Sequence, residues 1–131
     1  MSYYANGELK VVYLTADKSI PEKVENAFLY VNQRYDYDCD ISEYTTTIEA
    51  WGNEPYSTET TEKLLELLTE IAPIKDGAEF DFCGEDRTYW RFIFENGNWK
   101  ESLCMQKVTQ WGQDPWGEGL ELCRRELPFL A

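Results

Sequence analysis

The chain contains no histidine. That absence excludes Ser-His-Asp and Cys-His nucleophilic chemistry, His-ligated metals and imidazole acid–base catalysis. For an enzyme, only carboxylate chemistry remains, with or without a hard metal ion. Cysteine is sparse: Cys39, Cys83, Cys104 and Cys123 are widely spaced and form no C-x-x-C pair. In a reducing compartment they read as plain thiols, some of them buried, rather than as a zinc site. No apolar run approaches the roughly 20 residues of a membrane span. The first ten residues, MSYYANGELK, have neither the basic nor the apolar region of a signal peptide. The expected location is cytoplasmic.

Positive charge is also scarce, and unevenly so. The chain has 25 acids against 12 bases, a formal charge of −13. Residues 1–35 hold four acids and four bases, and residues 87–131 hold six of each. Residues 36–86 hold fifteen acids and only two bases, Lys63 and Lys75, so this segment carries the whole excess. Direct nucleic-acid binding needs Lys and Arg against phosphate, and no basic patch is visible.

What is present is aromatic and apolar. With 131 residues, 43% hydrophobic and 15% aromatic, the chain suits one domain over residues 1–131 with a single core. The stretch EFDFCGEDRTYWRFIFENGNWK, residues 79–100, organises that core. Read at period two, Phe80, Phe82, Trp90, Phe92, Phe94 and Trp99 share one face of a hairpin and then a meander. An odd-length loop around Gly84–Thr88 sets Phe82 opposite Trp90, Phe80 opposite Phe92 and Asp81 opposite Arg91. An even loop would mix the faces, and a one-residue slip loses the whole apolar side. Asn96-Gly97 is a tight hairpin turn, because both residues tolerate positive φ. It brings Phe94 against Trp99. It also puts Glu101 opposite Phe92, a poor pair that predicts a bulge or strand end there.

Upstream, Glu8–Thr15 reads as a strand apolar on both faces, hence central or covered on both sides. Ser19-Ile-Pro-Glu22 is a capping box, and Ile20, Val24, Ala27, Phe28, Val31 and Tyr35 follow at helical spacing, predicting a helix over about 20–34. Asp36, Asp38, Asp40 and Glu43 then form an acidic loop. Alternating acids suggest a calcium loop, but Ile41 stands where such a loop needs glycine and Thr47 where it needs its closing glutamate. Residues 44–51, YTTTIEAW, form a strand with Tyr44, Thr46, Ile48 and Ala50 on one face. Gly52–Tyr56 is a loop. A second helix spans about 58–72, capped by Ser57 and stopped by Pro73. Its outer side carries Glu59, Glu62, Glu66 and Glu70 as one stripe. After the meander, residues 110–119 form a loop with Trp111 and Trp116, and Leu120–Glu126 a short helix.

The element order β-α-β-α-β-β-β predicts an α+β two-layer sandwich: a mixed sheet of about five strands with two helices on one face. The other face, showing Val12, Leu14 and Ile93, is expected to be covered by the C-terminal segment, about 110–131, with Trp111, Trp116 and Phe129.

The acidic middle points to function. Asp36, Asp38, Asp40, the stripe Glu59, Glu62, Glu66 and Glu70, and the hairpin tip Glu85 and Asp86 are expected on one flank, facing a basic surface of another protein. Glutamates one helical turn apart lie about 5–6 Å from each other, near the spacing of phosphates along a strand of nucleic acid. Trp111 and Trp116 are candidate interface anchors. In size, charge and compactness the chain resembles the small acidic proteins with which phages and mobile elements block nucleic-acid enzymes, CRISPR effectors and restriction systems included. The resemblance covers no defined motif and lends no site residue. The expectation is therefore a non-enzymatic inhibitor or nucleic-acid mimic with no cofactor. The alternatives are a Mg²⁺- or Ca²⁺-dependent carboxylate enzyme using Asp36, Asp38, Asp40 and Glu43, and an immunity-type or structural interaction module.

Overall fold

The computed structural model describes residues 2–104 and 125–128, with side chains described for 2–102. The elements run β1 (Tyr4–Tyr13), α1 (Ile20–Tyr30), β2 (Asp36–Ile41), β3 (Thr46–Pro55), α2 (Thr58–Ile71), β4 (Glu79–Gly84), β5 (Tyr89–Glu95), β6 (Asn98–Cys104) and β7 (Arg125–Pro128). They build a seven-stranded sheet in the order β2-β3-β1-β4-β5-β6-β7. The class is α+β, as expected, but the sheet is not mixed, because every neighbouring pair is antiparallel. The reason lies in the crossovers. The β1-α1-β2 connection returns parallel to β1 but two positions away, and β3 fills the gap. The β3-α2-β4 connection does the same around β1. Two split β-α-β units therefore interleave, and among the described strands no parallel pair adjoins.

Two strands beyond the expected five account for the larger sheet. Residues 36–41 are not a loop but edge strand β2. Its pattern Asp-Tyr-Asp-Cys-Asp-Ile alternates at period two. Aspartate's poor strand propensity is overridden by pairing with β3, and an edge tolerates charge. Residues 125–128 pair with β6 and extend the far edge, so Arg125 and Glu126 are strand rather than helix. The expected covering role of the remaining 110–131 segment, with Trp111, Trp116 and Phe129, lies outside the described residues. β1 begins at Tyr4 and β3 runs on to Pro55, through the predicted loop, because the two strands pair over their whole length from Tyr4↔Pro55 to Tyr13↔Thr46.

Both helices cover one face, as expected. Phe28 of α1 packs on Phe80 of β4 and on Tyr35. In α2, the Leu68 carbonyl accepts from the Tyr13 hydroxyl at 2.7 Å, and Thr69 Oγ1 accepts from the Trp99 indole at 2.9 Å. The core between the layers holds Leu9, Val11, Ile48, Leu64, Leu65, Phe80, Phe82, Phe92, Phe94 and Trp99. The aromatic hairpin has the predicted register, Phe80↔Phe92, Asp81↔Arg91 and Phe82↔Trp90. The Asn96-Gly97 turn has both φ positive, 53° and 81°, and brings Phe94 against Trp99 at 5.3 Å between ring centroids. No break follows: Glu101 does pair with Phe92, and β6 continues to Cys104. Glu101 is accommodated half-buried beside α2.

The helix termini differ in detail. Ser57 caps α2 as expected, its hydroxyl accepting from the Thr60 N–H at 3.1 Å. Ser19 makes no such bond. Instead the Asp17 carboxylate accepts from the Ser19 N–H and hydroxyl at 2.8 and 2.9 Å. α1 ends four residues early, with Asn32 at φ 60°. That turn aims Tyr35 back under the helix, where its ring lies across Gly7 of β1 and Gly52 of β3. A Cβ at Gly52 would sit 2.7 Å from the ring, and one at Gly7 would sit 2.1 Å from its hydroxyl. Two facing glycines thus open the slot through which the chain passes from α1 into β2. Among the described residues, no helix is long and apolar enough to cross a membrane.

Candidate functional site

Period-two alternation assigns every strand residue to a face. On β1, Leu9, Val11 and Tyr13 point to the helices, so Asn6, Glu8, Lys10 and Val12 point away. The register then carries this assignment across the sheet. One row of the face away from the helices, exposed toward β2 and buried toward β6, reads Asp36, Trp51, Glu8, Asp81, Arg91, Ser102. The next reads Asp38, Glu49, Lys10, Glu79, Ile93, Lys100. Asp40 follows, opposite Thr47. Among these described positions, seven carboxylates stand against the three bases Lys10, Arg91 and Lys100.

The bases are concentrated toward β4–β6, where the charges are paired. The Arg91 guanidinium donates to both oxygens of Asp81, at 2.6 and 3.2 Å, and lies 3.6 Å from Glu79. Asp81 is only 9% exposed, and its burial pushes its carboxyl above the usual range despite the guanidinium beside it. Toward β2, β3 and β1 the only base among the described residues of this face is Lys10. There Asp38 stands directly opposite Glu49, a like-charge pair across two strands. Like charges directly opposite are destabilising, although Lys10 faces Glu49 from the other side.

Trp51 sits inside this acidic half, 44% exposed, with Asp36 opposite on β2 and Glu8 opposite on β1. A shallow cavity of about 660 Å³ opens beside it, lined by Asn6, Gly7, Glu8, Asp36, Trp51, Gly52, Asn53, Asp81, Cys83 and Tyr89. Sequence reasoning missed Trp51, Glu8 and Glu49. Their alternation with apolar residues was visible, but which strands adjoin was not.

The expected single acidic flank does not form. Asp36, Asp38 and Asp40 lie on the open face of the sheet, whereas Glu59, Glu62, Glu66 and Glu70 lie on the helix layer, on the opposite side. The two sets are close in sequence, but the β3-α2 turn sends the chain from one layer to the other. The stripe is itself uneven. Glu59, Glu66 and Glu70 are exposed, with Lys63 3.5 Å from Glu66. Glu62 turns toward Glu101, whose carboxyl is raised by burial and by Glu62. Glu70 borders a groove between the helices, of about 440 Å³, with Lys23, Tyr30, Leu67 and Ile71.

Glu85 and Asp86 are exposed in the β4–β5 turn. Asp86 anchors that turn: it accepts from the Tyr3 hydroxyl and, at 3.1 Å, from the Thr88 N–H, and these bonds hold its carboxyl below the usual range. It belongs to neither acidic face. Trp111 and Trp116 lie outside the described residues.

The acids named for the metal-dependent alternative are not gathered at one point. Asp36, Asp38 and Asp40 alternate along one extended strand, so neighbours are about 6.7 Å apart and point in parallel. Oxygen ligands must converge to about 2.3–2.6 Å from a calcium ion. Glu43 is exposed in the turn closed by Ser42 and Thr45. Among the described residues, no group of three or more acids and cysteines is placed to hold a metal ion. Cys39 and Cys83 are free, and Cys39 is exposed rather than buried. Partial burial, then Asp40 and Asp38, push its thiol up, so it is a poor nucleophile.

No protein-family model, curated protein or solved structure matches the chain.

Proposed function

We propose that this chain is a non-enzymatic binding protein that blocks a basic site on a nucleic-acid-processing protein, docking through the acidic half of its open sheet face. The carrying observation is the like-charge pair Asp38↔Glu49, set between Asp36 and Asp40 on the same strand. Lys10 stands opposite Glu49 from β1, but among the described residues Asp36, Asp38 and Asp40 on the edge strand have no base opposite them. A row of like charge is what a recognition surface for a cation-rich partner presents. A straight row of three acids about 6.7 Å apart, on a rigid strand, presents charge as a polyanion does. It suits a groove lined with Lys and Arg for a nucleic-acid backbone. The biological setting that such chemistry serves is the one in which phages and mobile elements disarm restriction or CRISPR enzymes.

The two acidic layers make the reading testable, because each can be neutralised alone. One variant carries Asp36→Asn, Asp38→Asn, Asp40→Asn and Glu49→Gln; the other carries Glu59→Gln, Glu66→Gln and Glu70→Gln. Parent and both variants serve as bait in a host lysate at low and high salt. The expected result is a nucleic-acid enzyme retained by the parent and by the helix variant, released by salt or by added DNA or RNA, and not retained by the strand variant. Urea unfolding of both variants checks that each keeps the fold. Equal retention by parent and strand variant would remove the open face from the mechanism.

A further inference from the structure

Resting on that reading, the open sheet face carries one step more. We infer that the cavity beside Trp51 is a guanidinium slot that seats an arginine side chain of the partner as the anchor of the interface. Trp51 is 44% exposed, and its surroundings give it a role. Trp51 is on β3, one strand in from the edge, and lies between Asp36 and Glu8 in the same cross-strand row. Directly opposite residues have Cβ atoms about 4.5–5.5 Å apart, so both carboxylates flank the indole. The cavity continues past them over Asn6 and Asn53 to Asp81, whose two oxygens Arg91 already holds, and among the described residues no Lys or Arg lines the cavity itself.

The charge complementarity is therefore specific. A cation entering the slot meets a π face and carboxylates on both sides, with amide side chains at the rim. A guanidinium fits this better than an ammonium. It is planar, so it stacks on indole; it is weakly hydrated, so leaving water costs it less; and its fork donates two hydrogen bonds to one carboxylate. A second copy of this chain does not fit, because apposing two such faces brings acids against acids. The face thus selects for arginine-bearing surfaces, the residue that nucleic-acid enzymes use to grip phosphate.

The test uses hexa-arginine and hexalysine as probes of equal charge, titrated into the full chain by calorimetry at near-physiological salt. Hexa-arginine is expected to bind about tenfold tighter than hexalysine. Trp51→Leu should abolish that preference while leaving the hexalysine affinity within about twofold. Trp51→Phe, which keeps a smaller π face, should retain part of it. A melt of each variant checks its fold, and the arginine-to-lysine comparison on the parent needs no variant at all. Equal affinities for the two peptides, or an undiminished preference in Trp51→Leu, would overturn the slot. Should both peptides then still lose affinity when Asp36, Asp38, Asp40 and Glu49 are neutralised, the acidic-face reading stands without the slot. Peptide binding indifferent to those acids overturns both.

Discussion

Gly52→Ala is the substitution whose sign the structure sets against the ordinary expectation. Gly52 does not adopt the left-handed conformation, so alanine suits its backbone. In a strand such a change stabilises by about 0.4–1 kcal/mol, because glycine loses more freedom on folding. Here the added methyl would meet the Tyr35 ring at 2.7, 2.9 and 3.1 Å. Carbon atoms prefer about 3.5–4.0 Å, so the ring must retreat by most of an ångström. The nearest atoms belong to the base of the ring, which cannot swing aside like a chain end. Tyr35 is also wedged against Phe28 and Phe80, at 4.6 and 6.1 Å between centroids. Overpacking of this kind costs about 1–3 kcal/mol and outweighs the entropic gain. Gly52→Ala should therefore lower stability by about 1–2 kcal/mol in urea unfolding. In a Tyr35→Ala background, itself less stable by about 3–5 kcal/mol, the same change should become neutral or stabilising. If Gly52→Ala stabilises the parent, or costs the same in both backgrounds, the ring does not fill the glycine slot. β2 would then enter the sheet by some other route.

Two further outcomes follow from the core and from its half-buried acid. Phe92→Ala should cost about 3–5 kcal/mol in the same assay, since Phe92 is fully enclosed between sheet and helices; a loss below about 1 kcal/mol would contradict the hairpin register. Glu101→Gln should raise the melting temperature at pH 7, because burial and Glu62 raise the Glu101 carboxyl pKa in the fold. The native state then holds the proton more tightly than the unfolded chain, so this contribution to stability is complete below the ordinary glutamate pKa. It is lost as pH rises through the elevated value. The advantage of glutamine should accordingly vanish on acidification to about pH 4, and a gap that widens instead would reverse the assignment.

The arrangement of charge explains why the acidic middle segment misleads when read along the chain. Residues 36–86 run from an edge strand, through a neighbouring strand, over a helix and back into the sheet. A two-layer fold places the strands and the helix of that path on opposite sides. Acids adjacent in sequence are thereby separated, while Glu8, from the charge-neutral first third, joins Asp36 around Trp51. Charge counted over a window reports the total field. It does not report a face.

Local rules of spacing determined a good deal by themselves. Period two in residues 79–100 set the hairpin faces and register, since one slip would exchange every aromatic for a polar residue. Asn96-Gly97 set the second turn, and Ser57 the start of α2. Helical spacing set both apolar helix faces, and therefore a sandwich with two helices on one side. Tertiary contact decided the rest. Whether Asp36–Ile41 is loop or strand depends on β3 offering its edge, which no local preference of aspartate encodes. Whether parallel strands adjoin depends on how far each crossover reaches. The site depends on both: Asp36, Trp51 and Glu8 come from three strands, and cross-strand pairing, not sequence distance, makes them neighbours.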